Sequence, residues 1–572
     1  MASDDESNVS YYSEEGECQN YSDSESANHL TEGSSLEQLK SLREKVNWEN
    51  QEDRIEFRRR KLYRLIRNWQ GQLPNLRDIF RLKEIDLLIT DEMIDSELLV
   101  FDASFIDFLI NTGYKDEPDV DEDGKPLLLR TTAVHHLVER ELVANIDDRL
   151  FQIYKFDVNY TDKDGLTHFH VACYFGHHDY VKTFLELGQD PNCIVQKTGD
   201  SPLHVALESC FDSISVIELL LRYGADPNWA NKEGSTPLHL IDEYDVAEVF
   251  FRINDERCQV LQIDARDEDG NTPLHMAAYR GDKQLATILL KNGANPNLAN
   301  ENSVTPLHVL SEKNNLAMIK LFFKINDELN QFVKIDAKDK FGQTPLQWAV
   351  ASLSPDVIDV HLDRGADLSS FVFPSTSDFE KFFLYVDDYG PGRYDEYLYR
   401  TLAALSTVEL LENRGYELKR SDALAIMTFL VKHILRCNGD NSYEDEDKKE
   451  AKVKKSMAEL KKIIVSPNLS LYDLIRLRPK EAAKQLTYKD CYELLRSGKS
   501  FKILSRLNEA CFVHLCEKLS RGFFQRWALY PFWELIRYRL PILCCEMIVE
   551  QLMNQDLCNI CLAAASPSSQ SC

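Results

Sequence analysis

Hydrophobic residues at helical spacing run through most of this chain and predict a mainly helical protein. Apolar positions recur every three or four residues at Leu62, Leu65, Ile66 and Trp69, and residues 85–110 are rich in Leu, Ile and Phe. Helical patterns return over 401–436 and from 469 to 564. Polar stretches at 114–126 and 439–455 separate these segments, and the second predicts a charged loop. Residues 40–127 are therefore predicted to form a helical N-terminal region.

A four-residue motif recurs through the middle of the chain at intervals of 33 to 39 residues. Its copies are TAVH (132–135), THFH (167–170), SPLH (201–204), TPLH (236–239, 272–275 and 305–308) and TPLQ (344–347). Most copies follow a polar turn with Gly, such as DEDG at 267–270, and precede an apolar helix that ends in Gly, such as LLKNGANPN at 289–297. Thr and Pro suit a helix start, and Gly suits a left-handed helix end. The motif predicts repeated helix pairs.

These residues resemble the ankyrin repeat, a turn followed by two antiparallel helices that is stable only when neighbours stack on it. The resemblance implies an all-α ankyrin-repeat solenoid over 128–368, with about seven units, β-turn fingers and helical regions on both sides. The first unit lacks the Pro and is predicted to cap the array. FFRINDE at 250–256 and FFKINDE at 322–328 lie 72 positions apart, as do IDARD at 263 and IDAKD at 335. We therefore expect a duplicated two-repeat block in which one member has a longer second helix or loop.

The segment after the repeats resembles a second family. A helical linker is predicted over 369–465, and residues 466–564, with LSLYDLIRLRPKEAAKQL and YPFWELIRYRLPILCCEMIVEQLMNQDLCNICLAA, resemble the PRANC domain of poxviral and parasitoid-wasp ankyrin proteins. The whole architecture is most similar to the wasp branch, and 565–572 is predicted to be a flexible end. PRANC domains are similar to F-box domains, which dock the Skp-type adaptor of a cullin and RING ubiquitin ligase. The resemblance implies that the docking residues are Leu540, Pro541, Ile548, Leu552, Asp556 and Leu557. From spacing alone, the same residues fit the domain's own core.

Charge and targeting signals indicate which classes of partner and which cellular compartment to expect. The 572 residues carry a formal charge of −28, which disfavours phosphate neutralisation and so predicts no nucleic-acid partner. Residues 1–39 hold no Lys or Arg and are predicted to be a disordered acidic tail. No secretory signal or membrane segment is recognisable, so we expect a cytoplasmic protein without a membrane partner and with its 14 Cys reduced. The basic run 58–61 is either a nuclear import signal or the solvated side of a helix.

The residue types that support catalysis do not form a recognisable site. The motif histidines fit the structural role that ankyrin repeats give them, and CxxC at Cys558 and Cys561 has no second pair that would complete a zinc site. There is no phosphate loop, nucleophile elbow or HExxH. We therefore predict no enzyme, no metal, no cofactor and no small-molecule substrate.

The predicted function is protein recruitment. The array would bind a target protein while the C-terminal domain docks a Skp-type adaptor and its cullin ligase. The alternative is an IκB-like stoichiometric inhibitor of an NF-κB-type transcription factor that acts without ubiquitin. In ankyrin proteins the variable contacts flank the turn glycine and follow the first helix. The resemblance places the target-binding residues at Lys163, Asp164, Tyr174, Phe175, Glu268, Asp269, Tyr279, Arg280, Lys340 and Phe341.

Overall fold

The computed structural model describes residues 35–94, 105–138, 147–209, 211, 213–383, 394–436, 458–466, 469–496 and 509–566. It is mainly helical, as predicted. The chain divides into two compact units, Met1–Val171 and Ala172–Cys572.

Short helices build the first unit. The second helix begins at Gln51, and the side chain of Asn50 caps it by accepting a hydrogen bond from the Glu52 backbone N–H. Rings of Trp48 and Phe57 meet edge to face at 6.0 Å in the core. The elements are α1 Ser35–Glu44, α2 Gln51–Glu56, a π-helix Phe57–Leu62, α3 Tyr63–Arg67, a 3-10 turn Leu76–Asp78, α4 Leu82–Ile94, α5 Phe105–Asn111, α6 His135–Val138, α7 Asp147–Phe151 and α8 His168–Tyr174, whose last three residues belong to the second unit.

Two expectations for the N-terminal region need correction. Helix α1 begins at Ser35 and fully buries Leu39, so the last five residues of the predicted acidic tail are helical. Arg58 is also fully buried, with its guanidinium near the ring of Tyr63, so the basic run 58–61 is not a continuous exposed patch. The rest of the predicted tail, residues 1–34, lies outside the described residues, as does 95–104 between α4 and α5.

One arginine joins three segments of the first unit. The Arg130 guanidinium donates to the carboxylate of Asp86 in α4 and, at 3.2 Å, to that of Asp116. The Tyr154 hydroxyl donates to Asp86 at 3.2 Å, and the Tyr160 hydroxyl donates to Asp116. Buried charges are stable only when they are paired and hydrogen-bonded in this way. The polar stretch 114–126 is thus anchored to the helical core at Asp116.

Paired helices form the repeats of the second unit. Each first helix from α10 onward begins at Pro after a Ser or Thr cap, and the side chain three residues into the helix reaches back to the cap's backbone N–H. The motif therefore marks the helix starts that it predicts. The helices are α9 His178–Glu186, α10 Pro202–Leu207, α11 Ile214–Arg222, α12 Pro237–Leu240, α13 Tyr244–Glu256, α14 Pro273–Arg280, α15 Lys283–Lys291, α16 Pro306–Glu312, α17 Leu316–Glu328, α18 Pro345–Ala351 and α19 Pro355–Asp363.

The two copies of the duplicated sequence have matching extended helices. Helices α13 and α17 have 13 residues, whereas α11 and α15 have nine. Each long helix buries an Asn near its end, and Asn254 and Asn326 donate to the carbonyl oxygens of Phe250 and Phe322 at 2.7 and 2.8 Å. The expected duplication is therefore visible in helix length and in the packing of equivalent residues.

Helices and one short strand pair follow the repeats. Strands β1 Ile464–Ser466 and β2 Leu469–Ser470 are antiparallel, with Ile464 opposite Ser470. The sequence pattern did not indicate these strands because they are only three and two residues long. The helices are α20 Thr376–Phe383, α21 Tyr394–Asn413, α22 Arg420–Arg436, α23 Leu471–Leu474, α24 Pro479–Gln485, α25 Tyr488–Arg496, α26 Glu509–Leu535, α27 Ile542–Val549 and α28 Asn554–Ala565.

The long helix α26 organises this C-terminal body by packing against α21, α22, α27 and α28. Two bidentate ion pairs reinforce the packing: Arg526 with Glu412 of α21, and Arg420 of α22 with Glu534. The helices of the predicted linker thus share a core with those of the predicted C-terminal domain. The predicted charged loop 439–455 lies outside the described residues. None of the described helices combines the length and apolar content that crossing a bilayer requires.

Candidate protein-binding surfaces

The turn fingers of the second unit are stacked by backbone hydrogen bonds. In each step, an N–H near the tip of one finger donates to a carbonyl oxygen of the finger before it. Such bonds hold the tip side chains in a fixed register along the array. The donors and acceptors are Lys232 to Thr198 at 2.9 Å, Glu268 to Glu233 at 2.8 Å, Glu301 to Asp269 at 2.9 Å and Lys340 to Asn302 at 2.9 Å.

The finger glycines allow this close approach. Gly270 has a φ of +78°, and a Cβ there would lie 2.8 Å from the backbone nitrogen of Glu301. Gly234 has a φ of +73° and would place a Cβ 2.9 Å from the nitrogen of Glu268. Both the left-handed backbone and the neighbouring finger therefore require glycine. The Gly in the polar turns is explained by packing between repeats.

The motif histidines link each repeat to the next. The Thr272 N–H lies 3.1 Å from Nδ1 of His275, and because a backbone N–H can only donate, Nδ1 accepts and the proton is on Nε2. Nε2 then donates to the carbonyl oxygen of Val304 at 3.0 Å. The equivalent Nε2 bonds run from His204 to Ser235 at 2.9 Å, from His239 to Asn271 at 3.1 Å and from His308 to Gln343 at 3.2 Å.

Burial keeps these imidazoles neutral and gives them a structural role. Removal from water lowers the pKa of His275 and His308 to about 4. In the last motif copy Gln347 makes the same two bonds without an ionisable ring. Its Oε1 accepts from the Thr344 N–H at 2.7 Å, and its Nε2 donates to the Val372 carbonyl at 2.9 Å.

The N-terminal predicted target-binding residues differ in exposure. In the first unit Lys163 is exposed at a turn, and the half-buried Asp164 donates its backbone N–H to the Asp162 carboxylate. In the second unit Tyr174 is half-buried, whereas Phe175 is buried with its ring centroid 5.2 Å from that of Phe211. Phe175 therefore packs in the interior rather than at an exposed target-binding position.

In the fifth repeat one of two neighbouring predicted residues has a structural role. Tyr279 is 61% exposed at the end of helix α14. The Arg280 guanidinium instead donates to the backbone carbonyls of Ile241 and His239, at 2.7 and 3.0 Å. Glu268 and Asp269 are both exposed at the finger tip. Tyr279 is therefore available for a partner, while Arg280 holds the end of the previous first helix.

The seventh repeat presents an aromatic ring close to two lysine amines. Phe341 is 73% exposed at the finger tip, and the Nζ atoms of Lys340 and Lys381 lie 5.2 and 5.7 Å from its ring centroid. Exposed aromatic rings and nearby cations are common at sites that carry binding energy.

Sequence reasoning missed Lys313. Its Nζ lies 3.8 Å from the ring centroid of Tyr279, close enough for a cation–π contact. Lys313 follows His308 by five residues, as Arg280 follows His275, so carrying the motif position into the sixth repeat would have identified it. Together, Tyr279, Lys313, Lys340 and Phe341 form what we call the array patch, a set of exposed aromatic and basic residues within the second unit.

The predicted docking residues near α27 differ in accessibility. Pro541 is the N-cap of α27, and Leu540, Pro541 and Ile548 are exposed. The helix ends at Val549, so Leu552 lies in the following turn, half-buried, rather than on a shared helical face with Ile548. Their spacing of four residues in the sequence therefore does not place Ile548 and Leu552 on one helical face.

The last two predicted docking residues have roles inside the domain. Asp556 is exposed, and its carboxylate accepts from the Met553 backbone N–H at 3.2 Å, which caps helix α28. Leu557 is fully buried, so its side chain packs in the core and cannot contact a partner. Among the six residues, spacing alone could not separate outward from inward positions.

The most exposed apolar residues of α27 are two that were not predicted from the sequence, Leu543 and Met547. Leu543 and Met547 are 69% and 68% exposed on one face of α27, whereas Cys545 and Val549 on the other face are buried. A helix that is apolar on both faces is normally buried, so its exposed half is suited to a partner. We call the exposed apolar residues on and beside α27 the C-terminal apolar surface: Leu540, Leu543, Met547, Ile548 and Met553.

The CxxC cysteines lie in the interior. Cys558 and Cys561 are buried free thiols in α28, and burial raises the pKa of Cys561 to about 12. Within the described part of the chain, no three His, Cys, Asp or Glu side chains are grouped so that they could hold a metal ion.

Comparisons with known proteins confirm the repeats. A sequence profile described as ankyrin repeats (3 copies) matches residues 134–231, 210–300 and 283–371. The Cricetulus griseus neurogenic locus notch homolog protein 1 is 34% identical over 170 residues, which are 30% of this chain and 6% of that protein. The Arabidopsis thaliana E3 ubiquitin-protein ligase KEG is 31% identical over 182 residues, 30% of this chain and 11% of that protein. The chain therefore spans only a small part of the curated relatives it matches.

A solved ankyrin-repeat structure also matches. The crystal structure of the ankyrin repeat domain of Bcl-3, described as a unique member of the IkappaB protein family, is 25% identical to this chain with a TM-score of 0.31. The match covers 36% of this chain and 90% of that chain. Residues 134–371 consist of ankyrin repeats, which form a protein-interaction scaffold.

Proposed function

We propose that this chain is a non-catalytic adaptor that joins a target protein to a ubiquitin ligase. The ankyrin repeats bind the target, and the C-terminal apolar surface docks a Skp-type adaptor of a cullin and RING ligase. The observation that carries the proposal is the exposure of Leu543 and Met547 on a short, apolar helix. Bringing two proteins together raises their effective concentration, so no residue of this chain needs to perform bond chemistry.

The geometry of α27 supports docking. Cys545 and Val549 hold the helix in the core, while Leu543 and Met547, four residues apart, are neighbours on the outer face. Apolar residues at this spacing are the pattern by which a helix fits a partner's groove. We infer a Skp-type adaptor as the partner from the resemblance of residues 466–564 to the PRANC domain. Three of the six predicted residues, Leu540, Pro541 and Ile548, are accessible at this surface.

The array patch supports target binding in the second unit. Tyr279 and Phe341 are rigid, exposed aromatic rings, and each has a lysine amine near its face. Aromatic residues bury a large area while losing few side-chain rotations, so they contribute strongly to binding. We include Lys340 and add Lys313 to the residues predicted from sequence, and we assign Phe175 and Arg280 to the support of the repeats.

The docking test compares two variants of the full-length chain. In Leu543→Asp with Met547→Asp, charged side chains replace the outer face of α27. In the control, Gln551→Asp with Asn559→Asp, two exposed polar positions gain the same charges without losing apolar surface. We expect the first variant to lose binding to a purified Skp-type adaptor in calorimetry, with an unchanged circular dichroism spectrum. The control should bind like the native chain.

The results separate the proposal from its alternative. Unchanged adaptor affinity in the Leu543 and Met547 variant contradicts docking at this surface. If the native chain does not bind the adaptor yet still sequesters its target, the result favours a stoichiometric inhibitor that acts without ubiquitin.

A further inference from the structure

A cavity of about 430 Å³ lies in the C-terminal body of the second unit, behind helix α27. Residues of α21, α24, α25, α26 and α27 line it. The floor is apolar and includes Leu405, Val408, Phe523 and Val549, all of which are buried. Its size and apolar floor are those of pockets that hold small organic molecules.

A glycine in the wall sets the width of the cavity. Gly522 lies inside the 27-residue helix α26, where Gly is less stable than Ala because it leaves the unfolded chain more freedom. A Cβ at this position would lie 3.1 Å from the Cβ of Pro479 and 3.6 Å from the Tyr488 hydroxyl. That hydroxyl also lines the cavity, and it has no hydrogen-bond partner among the described residues. The wall thus contains a glycine, Gly522, next to the hydroxyl of Tyr488.

The side of the cavity formed by α21 and α27 carries more negative than positive charge. Glu412 and Arg526 neutralise each other in a bidentate pair. Glu409 accepts a hydrogen bond from the Lys489 backbone N–H at 3.1 Å, so its carboxylate caps the start of α25.

Two further carboxylates line the cavity, that of Glu546 in α27 and that of Glu550 at the end of this helix. Within the described part of the chain, neither forms an ion pair, and Lys480 is the remaining cation of the lining. Three carboxylates, those of Glu409, Glu546 and Glu550, and one lysine therefore line this cavity, whereas the groove that continues from it past Pro479 and Gly522 is lined by further lysines and arginines.

We propose that this cavity binds an organic cation with an apolar body, such as an amine that carries an alkyl or aromatic group. The apolar body occupies the floor between Val408 and Phe523, and the cationic group lies at the rim beside Glu546 and Glu550. The Tyr488 hydroxyl supplies one further polar contact. Aromatic rings in the wall favour a cation as well, because their faces are electron-rich.

The test measures binding of two probes to the full-length chain by calorimetry, below the concentration at which either probe forms micelles. Decyltrimethylammonium matches the proposed ligand, and decyl sulfate has the same tail with the opposite charge. We expect the cation to bind about ten-fold more tightly than the anion, as an additional rim charge contact predicts. Equal affinity for the two probes, or no binding of the cation, overturns the proposal.

Variants assign the binding to the cavity. Glu546→Gln with Glu550→Gln should remove most of the preference for the cation, whereas the exposed control pair Glu417→Gln with Glu493→Gln should leave it unchanged. Gly522→Ala adds a methyl group to the wall and should weaken the binding of both probes. Alanine has the higher helix propensity, so the variant should still form α26.

The C-terminal apolar surface supplies the final control. Leu543→Asp with Met547→Asp should leave binding of the cation unchanged, because those side chains point outward. Loss of cation binding in that variant, or the same affinity in the Glu546 and Glu550 variant as in the native chain, would show that the probe binds elsewhere and overturn the assignment.

Discussion

The imidazole of His275 donates a hydrogen bond from Nε2 to the carbonyl oxygen of Val304, 3.0 Å away, and so connects the fifth repeat to the sixth. The same ring accepts the N–H of Thr272 at Nδ1. Both bonds require the neutral ring, since protonation of Nδ1 would place two donors against each other. The stability of the array is therefore linked to pH.

We expect acid to destabilise the repeats below pH 6.5. Burial lowers the pKa of His275 and His308 from 6.5 to about 4, so between these values the unfolded chain binds more protons than the folded one. The contribution of these two neutral rings to the free energy of unfolding is complete above pH 6.5 and is lost as the pH falls to about 4. The loss is on the order of 3 kcal/mol for each ring. Urea unfolding of the native chain at a series of pH values measures it.

The chain contains its own control for this effect. Gln347 makes the equivalent bonds to Thr344 and Val372 with an amide that does not titrate. We expect His275→Gln to retain the free energy of unfolding at pH 7.5 to within about 1 kcal/mol and to reduce its decline at low pH. If the variant and the native chain lose stability equally between pH 6.5 and 4, the buried rings are not the source of the effect.

Two glycines with similar backbone angles should respond differently to alanine. Gly293 has a φ of +96°, and no other atom lies within 4 Å of the place that a Cβ would take, so Gly293→Ala costs only the left-handed backbone, about 1 kcal/mol. At Gly270 the added Cβ also lies 2.8 Å from the nitrogen of Glu301, so Gly270→Ala must displace the next finger. We expect that cost to exceed about 2 kcal/mol in chemical unfolding. Equal costs would contradict the close stacking of the fingers.

Equivalent positions in consecutive repeats also differ in their structural roles. Arg280 donates to the carbonyls of His239 and Ile241, whereas Lys313 contacts the exposed ring of Tyr279. Arg280→Ala should lower the free energy of unfolding by about 1 to 2 kcal/mol, because it leaves two carbonyls without their donor. Lys313→Ala should change it by less than about 0.5 kcal/mol. Thermal melts that rank the two variants the other way would contradict this assignment.

The repeats could be predicted from sequence because several motif residues also act locally. Thr272 and Pro273 favour a helix start at their own position, and the positive φ of Gly270 favours glycine within its own turn. The direction in which Arg280 points depends on carbonyls about 40 residues away, which no local pattern records. Its structural role was therefore missed.

The C-terminal surface was predicted only in part for a similar reason. Helix α27 is apolar on both faces, so hydrophobic spacing could not distinguish the exposed Leu543 and Met547 from the buried Cys545 and Val549. The difference arises because the distant helix α26 packs against α27 and covers Cys545 and Val549 but not Leu543 and Met547. The cavity behind α27 likewise depends on how distant helices meet, and the sequence pattern gave no indication of a small-molecule site.

The final prediction concerns target recognition. Tyr279→Ala with Phe341→Ala removes two exposed rings of the array patch, and neither ring packs in the core. We expect the melting temperature and adaptor binding to be retained, while affinity for the captured target falls at least about 100-fold if the rings supply central contacts. Quantitative mass spectrometry of proteins bound to the native chain identifies the target, and calorimetry with that purified target measures the loss.

A second pair of exposed apolar residues tests whether the effect is specific. Val260 and Phe332 are 83% and 80% exposed at equivalent positions of the duplicated block. Their backbone carbonyls accept hydrogen bonds from the Asn228 and Asn297 side chains, which fix the two loops. Val260→Ala with Phe332→Ala removes exposed apolar area without touching the array patch, so it should preserve target affinity. If this variant loses the target and the Tyr279 and Phe341 variant retains it, recognition lies on the loops after the long helices, because a general loss of hydrophobic surface would weaken both.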